Sequence, residues 1–121
     1  MSLLNDLQQI NHEISLQEAI VMTTRFRTEI KSMLKPEYAG IDILPISETF
    51  KKSIFVELDR QAECVAIRAY LGMDENNHVR LIFVGVDDNN DILTSGCDQG
   101  GHIFEYGQRC PPICGISPLN P

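Results

Sequence analysis

Cys64-Val-Ala-Ile-Arg-Ala-Tyr-Leu-Gly-Met73 and Val79-Arg-Leu-Ile-Phe-Val-Gly-Val86 flank Asp74-Glu-Asn-Asn-His78, and this stretch decides the fold class. Both runs are rich in β-branched and aromatic residues, and the polar interval between them has the length and chemistry of a hairpin loop. In the first run Val65, Ile67, Ala69 and Leu71 share one face, with Arg68 and Tyr70 on the other. In the second run Leu81 and Phe83 oppose Ile82 and Val84, so both faces are apolar and the run reads as a central strand.

Outward from this hairpin, Asp87–Asp91 reads as a turn and Ile92–Thr94 as a short strand. Ser95–Gly101 is a glycine-rich loop, and His102–Tyr106 makes a last strand. The tail over residues 107–121 carries several prolines and is expected to be irregular. Upstream the period changes to that of helices. Ser15-Leu16-Gln17-Glu18 is a capping box, in which the Ser15 hydroxyl accepts from the Glu18 amide. Leu16, Ala19, Ile20, Thr23, Phe26, Ile30, Met33 and Leu34 follow as one apolar stripe, and Pro36 ends the helix. Ser47 offers a second cap, and Phe50, Ile54 and Leu58 recur every four residues, predicting a helix from Glu48 to Arg60. Residues 1–14 hold an N-terminal extension or short helix. Helices first and a meander second predict an α+β domain, with N-terminal helices on a small, mainly antiparallel sheet.

The 121 residues fit a single domain with one hydrophobic core. A formal charge of −7 repels phosphate backbones and anionic lipid, so neither nucleic acid nor a membrane surface is an expected partner. Lys51-Lys52 is the densest basic spot and reads as a solvated face. The N-terminus lacks the pattern of a secretory signal, and the longest apolar run, Leu81–Val86, is too short to cross a bilayer. A cytoplasmic location is therefore expected, where structural disulfides are uncommon.

The segments Ile46-Ser47-Glu48-Thr49-Phe50, Ile67-Arg68-Ala69-Tyr70, Val84-Gly85-Val86-Asp87 and the closing Cys110-Pro111-Pro112-Ile113-Cys114 together resemble a group of uncharacterised small bacterial proteins. The resemblance covers the last two thirds of the chain. It implies a bacterial, single-domain protein and brings no activity with it.

The chemistry-bearing candidates centre on Cys110–Gly115. Cys110 and Cys114, with Cys97 and His102 upstream, supply three thiolates and one imidazole, a tetrahedral zinc set. Zinc is the one cofactor the residues suggest. The same two cysteines offer a thiol pair, but their three-residue spacer leaves only the Ile113 amide inside it, and no helix follows to activate a thiolate. A regulatory or adventitious disulfide stays open, since the two prolines could hold the sulfurs close or splay them apart.

Asp87, Asn89, Asp91, Ser95 and Asp98 fall on a calcium-loop template, but Ile92 takes the glycine position and the residues suit a tight turn better. A third candidate is a small-molecule enzyme built on His102 with Asp98 or Arg68, with Cys97 drawn into a dyad. His12 and His78 lie in links between elements. Arg68 needs a carboxylate such as Glu105 or Asp98 if its face is covered, and with Tyr70 lines a shallow surface if it is open. With no catalytic set and a sheet expected to keep an open face or edge, the primary expectation is a non-enzymatic module that binds a protein partner or assembles with itself.

Overall fold

A computed structural model describes residues 2–88, 90–93 and 102–121. Its elements follow the α+β order: helix α1 (Leu3–Gln8), helix α2 (Leu16–Met33), strand β1 (Ser47–Thr49), helix α3 (Ser53–Arg60), then strands β2 (Ala66–Met73), β3 (Val79–Val86), β4 (Asp91–Ile92), β5 (Ile103–Phe104) and β6 (Gln108–Cys110). Contacts along the chain divide it into two compact units. The first takes Met1–Asn11, Thr49–Gly72 and Arg80–Gly107; the second takes His12–Glu48, Met73–Val79 and Gln108–Pro121.

In the first unit β3 is the centre of a four-stranded sheet. It lies between β2 and β4, and it pairs antiparallel with β4 through Gly85–Ile92 and Val86–Asp91. It also pairs antiparallel with β5, through Phe83–Phe104 and Val84–Ile103. The two-faced apolar pattern of this strand is what buries it: Val84 and Val86 are among the most enclosed side chains. Helix α3 contributes Ile54 and Leu58, four residues apart on one face, and both are buried. Phe83 meets Phe50 and Phe55 edge-on, with ring centroids 4.9 and 5.2 Å apart, the arrangement the ring quadrupoles favour. Helix α1 is fastened by the Leu3 amide donating to the Asp88 carboxylate at 3.1 Å.

The second unit holds α2, whose N-terminus carries the capping box: the Glu18 amide donates to Ser15 Oγ at 3.0 Å, and Ser15 Oγ donates to the Glu18 carboxylate. The helix stops at Met33, and a 3₁₀ turn over Pro36–Tyr38 follows. The predicted stripe is only partly covered. Ala19, Ile20, Thr23, Ile30 and Leu34 are half-buried, whereas Leu16 and Met33 at its two ends are exposed.

Two expectations are corrected. Residues Ser47–Thr49 do not begin a helix; they form β1, which pairs with β6, and α3 starts only at Ser53. The tail is correspondingly not irregular throughout, since Gln108–Cys110 is that pairing strand. The cause is the same for both. The Ile46 amide donates to the Cys110 carbonyl at 2.7 Å, so this stretch is drawn into pairing with a segment 64 positions away instead of starting a helix. Phe50 therefore precedes α3 but still reaches Phe83.

The hairpin is as the residues suggest. Asp74 Oδ1 accepts from the Asn76 and His78 amides, and Asn77 takes a left-handed conformation at φ 66°. Within the sheet, two glycines meet different neighbours. A Cβ on Gly85 would collide with the Gln61 side chain and lie 3.0 Å from Cys64 Sγ, whereas one on Gly72 would meet only the far end of Ile82, at 2.7 Å. Gly85→Ala is expected to destabilise the fold by about 1–3 kcal/mol, and Gly72→Ala by less than about 1 kcal/mol. Urea unfolding of the two variants checks the contrast.

Candidate functional site

The second unit converges on Arg109. This side chain is buried in β6, and its Nη2 donates to the carbonyls of Asp42 (3.0 Å), Ile43 (3.0 Å) and Val79 (3.3 Å). No carboxylate pairs with it among the described residues. Three carbonyl dipoles thus take the place of water around a cation, and they come from two separated segments of chain. The Ile43 carbonyl also accepts from the Val79 amide, at 2.6 Å. The next residue, Cys110, is 1% exposed. Arg109 was not singled out in the sequence, because a lone arginine between Gln108 and Cys110 carries no pattern.

Cys110 and Cys114 form a disulfide, with Cα atoms 4.9 Å apart. The proline-containing spacer thus holds the sulfurs together rather than apart. Both prolyl bonds, Cys110–Pro111 and Pro111–Pro112, are cis. Cys114 is exposed, as are its neighbours Ile113 and Gly115. The Ile113 amide donates to the Arg109 carbonyl at 3.1 Å. From the other side the Asn120 amide group donates to Cys110 Sγ at 3.6 Å, and Asn120 itself is set by a turn with Ser117. Leu119 accepts through its carbonyl from Arg27 of α2, so the last residues are tied to the helix as well as to the sulfur. Beside Pro111 lies a groove of about 210 Å³, lined by Phe26, Ile30 and Leu34 of α2 with Ile41 and Leu44.

Of the four zinc candidates, Cys97 lies outside the described residues. His102 belongs to the first unit, while Cys110 and Cys114 belong to the second and are bonded to each other. A disulfide sulfur is not a thiolate, so in this state the pair has no zinc ligand to offer. Among the described residues, no group of three His, Cys, Asp or Glu side chains converges as a metal site. His102 is exposed. Its amide donates to the Gln61 side-chain oxygen at 2.7 Å, and its ring stacks on Phe104 at 5.7 Å. The Asp98 proposed beside it also lies outside the described residues.

Of the two partners first considered for Arg68, Asp98 lies outside the described residues and Glu105 does not pair with it. Its guanidinium donates to Asp91 Oδ1 at 2.7 Å, and the Tyr70 hydroxyl donates to Asp91 Oδ2. Residues i and i+2 of β2 thus share one carboxylate from β4. Glu105 instead lies 3.9 Å from Arg80. Bonding with Tyr70 first, and then the charge of Asp91, push the Arg68 guanidinium further above its already high range. Its contribution is therefore present at all lower pH and lost only as pH rises through that raised value. Asp91 is thereby occupied, and Asp87 accepts from the Asn90 amide at 3.2 Å, as a turn residue does. Asn89, Ser95 and Asp98 of the calcium template are outside the described residues.

Other surfaces are less covered. Strand β2 is the edge of its sheet among the described strands. Its alternate residues Ile67, Ala69, Leu71 and Met73 are exposed, Leu71 at 75% and Met73 at 62%. Among the described residues no helix is long and apolar enough to cross a membrane. No protein-family model matches the chain, and neither a curated protein nor a solved structure matches it.

The Arg109 arrangement gives a direct test of what fixes this region. Arg109→Met keeps much of the volume but takes a donor from three carbonyls, of which Ile43 keeps the Val79 amide, and is expected to destabilise by about 3 kcal/mol. Arg109→Lys should recover only part of that, because the shorter side chain does not carry its ammonium as far as Nη2 reaches. Chemical denaturation of both variants reads the difference.

Proposed function

We propose that this chain is a non-enzymatic self-assembly module, in which the edge strand β2 receives β2 of a second copy. One observation carries the reading: β2 is eight residues long, stands at a sheet edge among the described strands, and exposes apolar Ile67, Leu71 and Met73 at period two. An edge strand offers unpaired amides and carbonyls along its outer side, and folded proteins ordinarily blunt such edges with charge, proline or a bulge. Between Ala66 and Met73 the only charge is Arg68, which Asp91 already takes up, and there is no proline. Strand addition supplies main-chain hydrogen bonds, while the alternate side chains supply contact area.

A second copy fits because antiparallel pairing of one strand with itself is isologous, so each residue contacting another is contacted in return. The net charge of −7 opposes this association at long range, which makes the dimer salt-dependent: moderate salt strengthens it. Other protein segments of extended form can use the same edge.

Sedimentation velocity over a concentration series tests the reading. The unaltered chain is expected to be dimeric at tens of micromolar. Ile67→Lys with Leu71→Lys is expected to raise the dissociation constant by about 100-fold or more, with circular dichroism unchanged. A chain that is monomeric throughout, or a dimer indifferent to the two lysines, overturns self-assembly through β2. A heterologous complex abolished by the same pair would move the function to a protein partner at this edge.

A further inference from the structure

We propose that the Cys110–Cys114 disulfide is a site of thiol–disulfide exchange that a low-molecular-weight thiol enters at Cys114. The two sulfurs are unequal. Cys110 is 1% exposed and held in β6, where its carbonyl accepts from the Ile46 amide. Cys114 is exposed, between exposed Ile113 and Gly115, and a Cβ built on Gly115 would meet nothing within 4 Å. An attacking thiolate must approach along the line of the sulfur–sulfur bond, from behind the sulfur it strikes, and access decides which sulfur that is. Cys114 is exposed and Cys110 is not.

The leaving side is prepared as well. As the bond breaks, charge collects on Cys110 Sγ, to which the Asn120 amide already donates at 3.6 Å. That hydrogen bond strengthens as the sulfur becomes a thiolate, so it favours departure of this sulfur. Residues 110–121 contain no Asp, Glu, Lys or Arg, so the chain's excess negative charge is not concentrated where an anionic thiolate arrives. A bridge over only four positions also constrains the unfolded chain less than one closing a long loop, so its opening costs the unit less stability.

The steps balance. The thiolate RS⁻ attacks Cys114 Sγ, forming RS–S–Cys114, and Cys110 leaves as a thiolate with the bonding pair. In reverse, Cys110 attacks Cys114 Sγ and expels RS⁻. Going forward, a second RS⁻ attacks the sulfur of the bound R group and releases RSSR with the Cys114 thiolate. Two thiols are thus oxidised while one disulfide is reduced. Cys110 is the leaving and resolving sulfur, and Cys114 is the one that carries the adduct. Cys64 is a free thiol, half-buried and donating to the Ala66 carbonyl at 3.2 Å, and serves as an internal reference.

Glutathione is the probe. The folded chain is incubated with mixtures of reduced and oxidised glutathione, quenched with acid, alkylated and mapped by peptide mass, with circular dichroism recorded in parallel. One glutathione on Cys114, with Cys110 and Cys64 carrying only the alkylating group, is expected, with the spectrum unchanged. Cys110→Ser, treated with oxidised glutathione, should hold the Cys114 adduct without resolving it. Asn120→Ala should slow the first exchange on the order of fivefold. An adduct on Cys110, equal adducts on both sulfurs, or a bridge that opens only in denaturant overturns the proposal. The mapping of the unaltered chain decides this even if the serine variant fails to fold.

Discussion

A guanidinium buried without a carboxylate sets the terms for the second unit. Its surroundings must replace the water it lost, and at Nη2 three main-chain carbonyls do so. Carbonyls committed in this way must come from segments held at fixed separation. Residues 42–43, Val79 and β6 are thus placed by one side chain rather than by a continuous sheet. Cys110 follows directly in the chain, which is why one sulfur of the disulfide is stationary and enclosed while the other rides on an exposed loop.

The first unit is organised by a different force. Phe50, Phe55 and Phe83 meet edge-on, and Ile54, Leu58, Val84 and Val86 are buried. Here removal of apolar surface from water supplies the stabilisation. The cluster of Arg68, Tyr70 and Asp91 shows the contrast: it is charged and hydrogen-bonded but partly open, so water shares in satisfying it. One unit tolerates polarity at its margin, and the other places it at its centre.

This difference explains what could be read from the residues alone. The hairpin of β2 and β3, helix α2 with its Ser15 cap, and the central position of β3 were legible because each follows from local periodicity or a short turn. The partner of β1 was not. Ser47-Glu48 has the chemistry of a helix start, and only a strand near residue 110 makes it extended. Similarly, the sequence offered Glu105 or Asp98 as a carboxylate for Arg68 and did not name Asp91, since the choice depends on which strand lies across β3. The candidate site was half legible: Cys110 and Cys114 were marked by their spacing, whereas Arg109 and Asn120, which hold Cys110 from two sides, carry no motif.

The close approach at Gly85 extends beyond this one chain. Gln61 and Cys64 occupy the space that a side chain at position 85 would need. The three positions therefore form a closed volume in which size can be exchanged but not added. Among relatives that keep this sheet, a larger residue at 85 should be accompanied by a smaller one at 61 or 64. Position 85 should covary with 61 and 64, although it is distant from both in sequence.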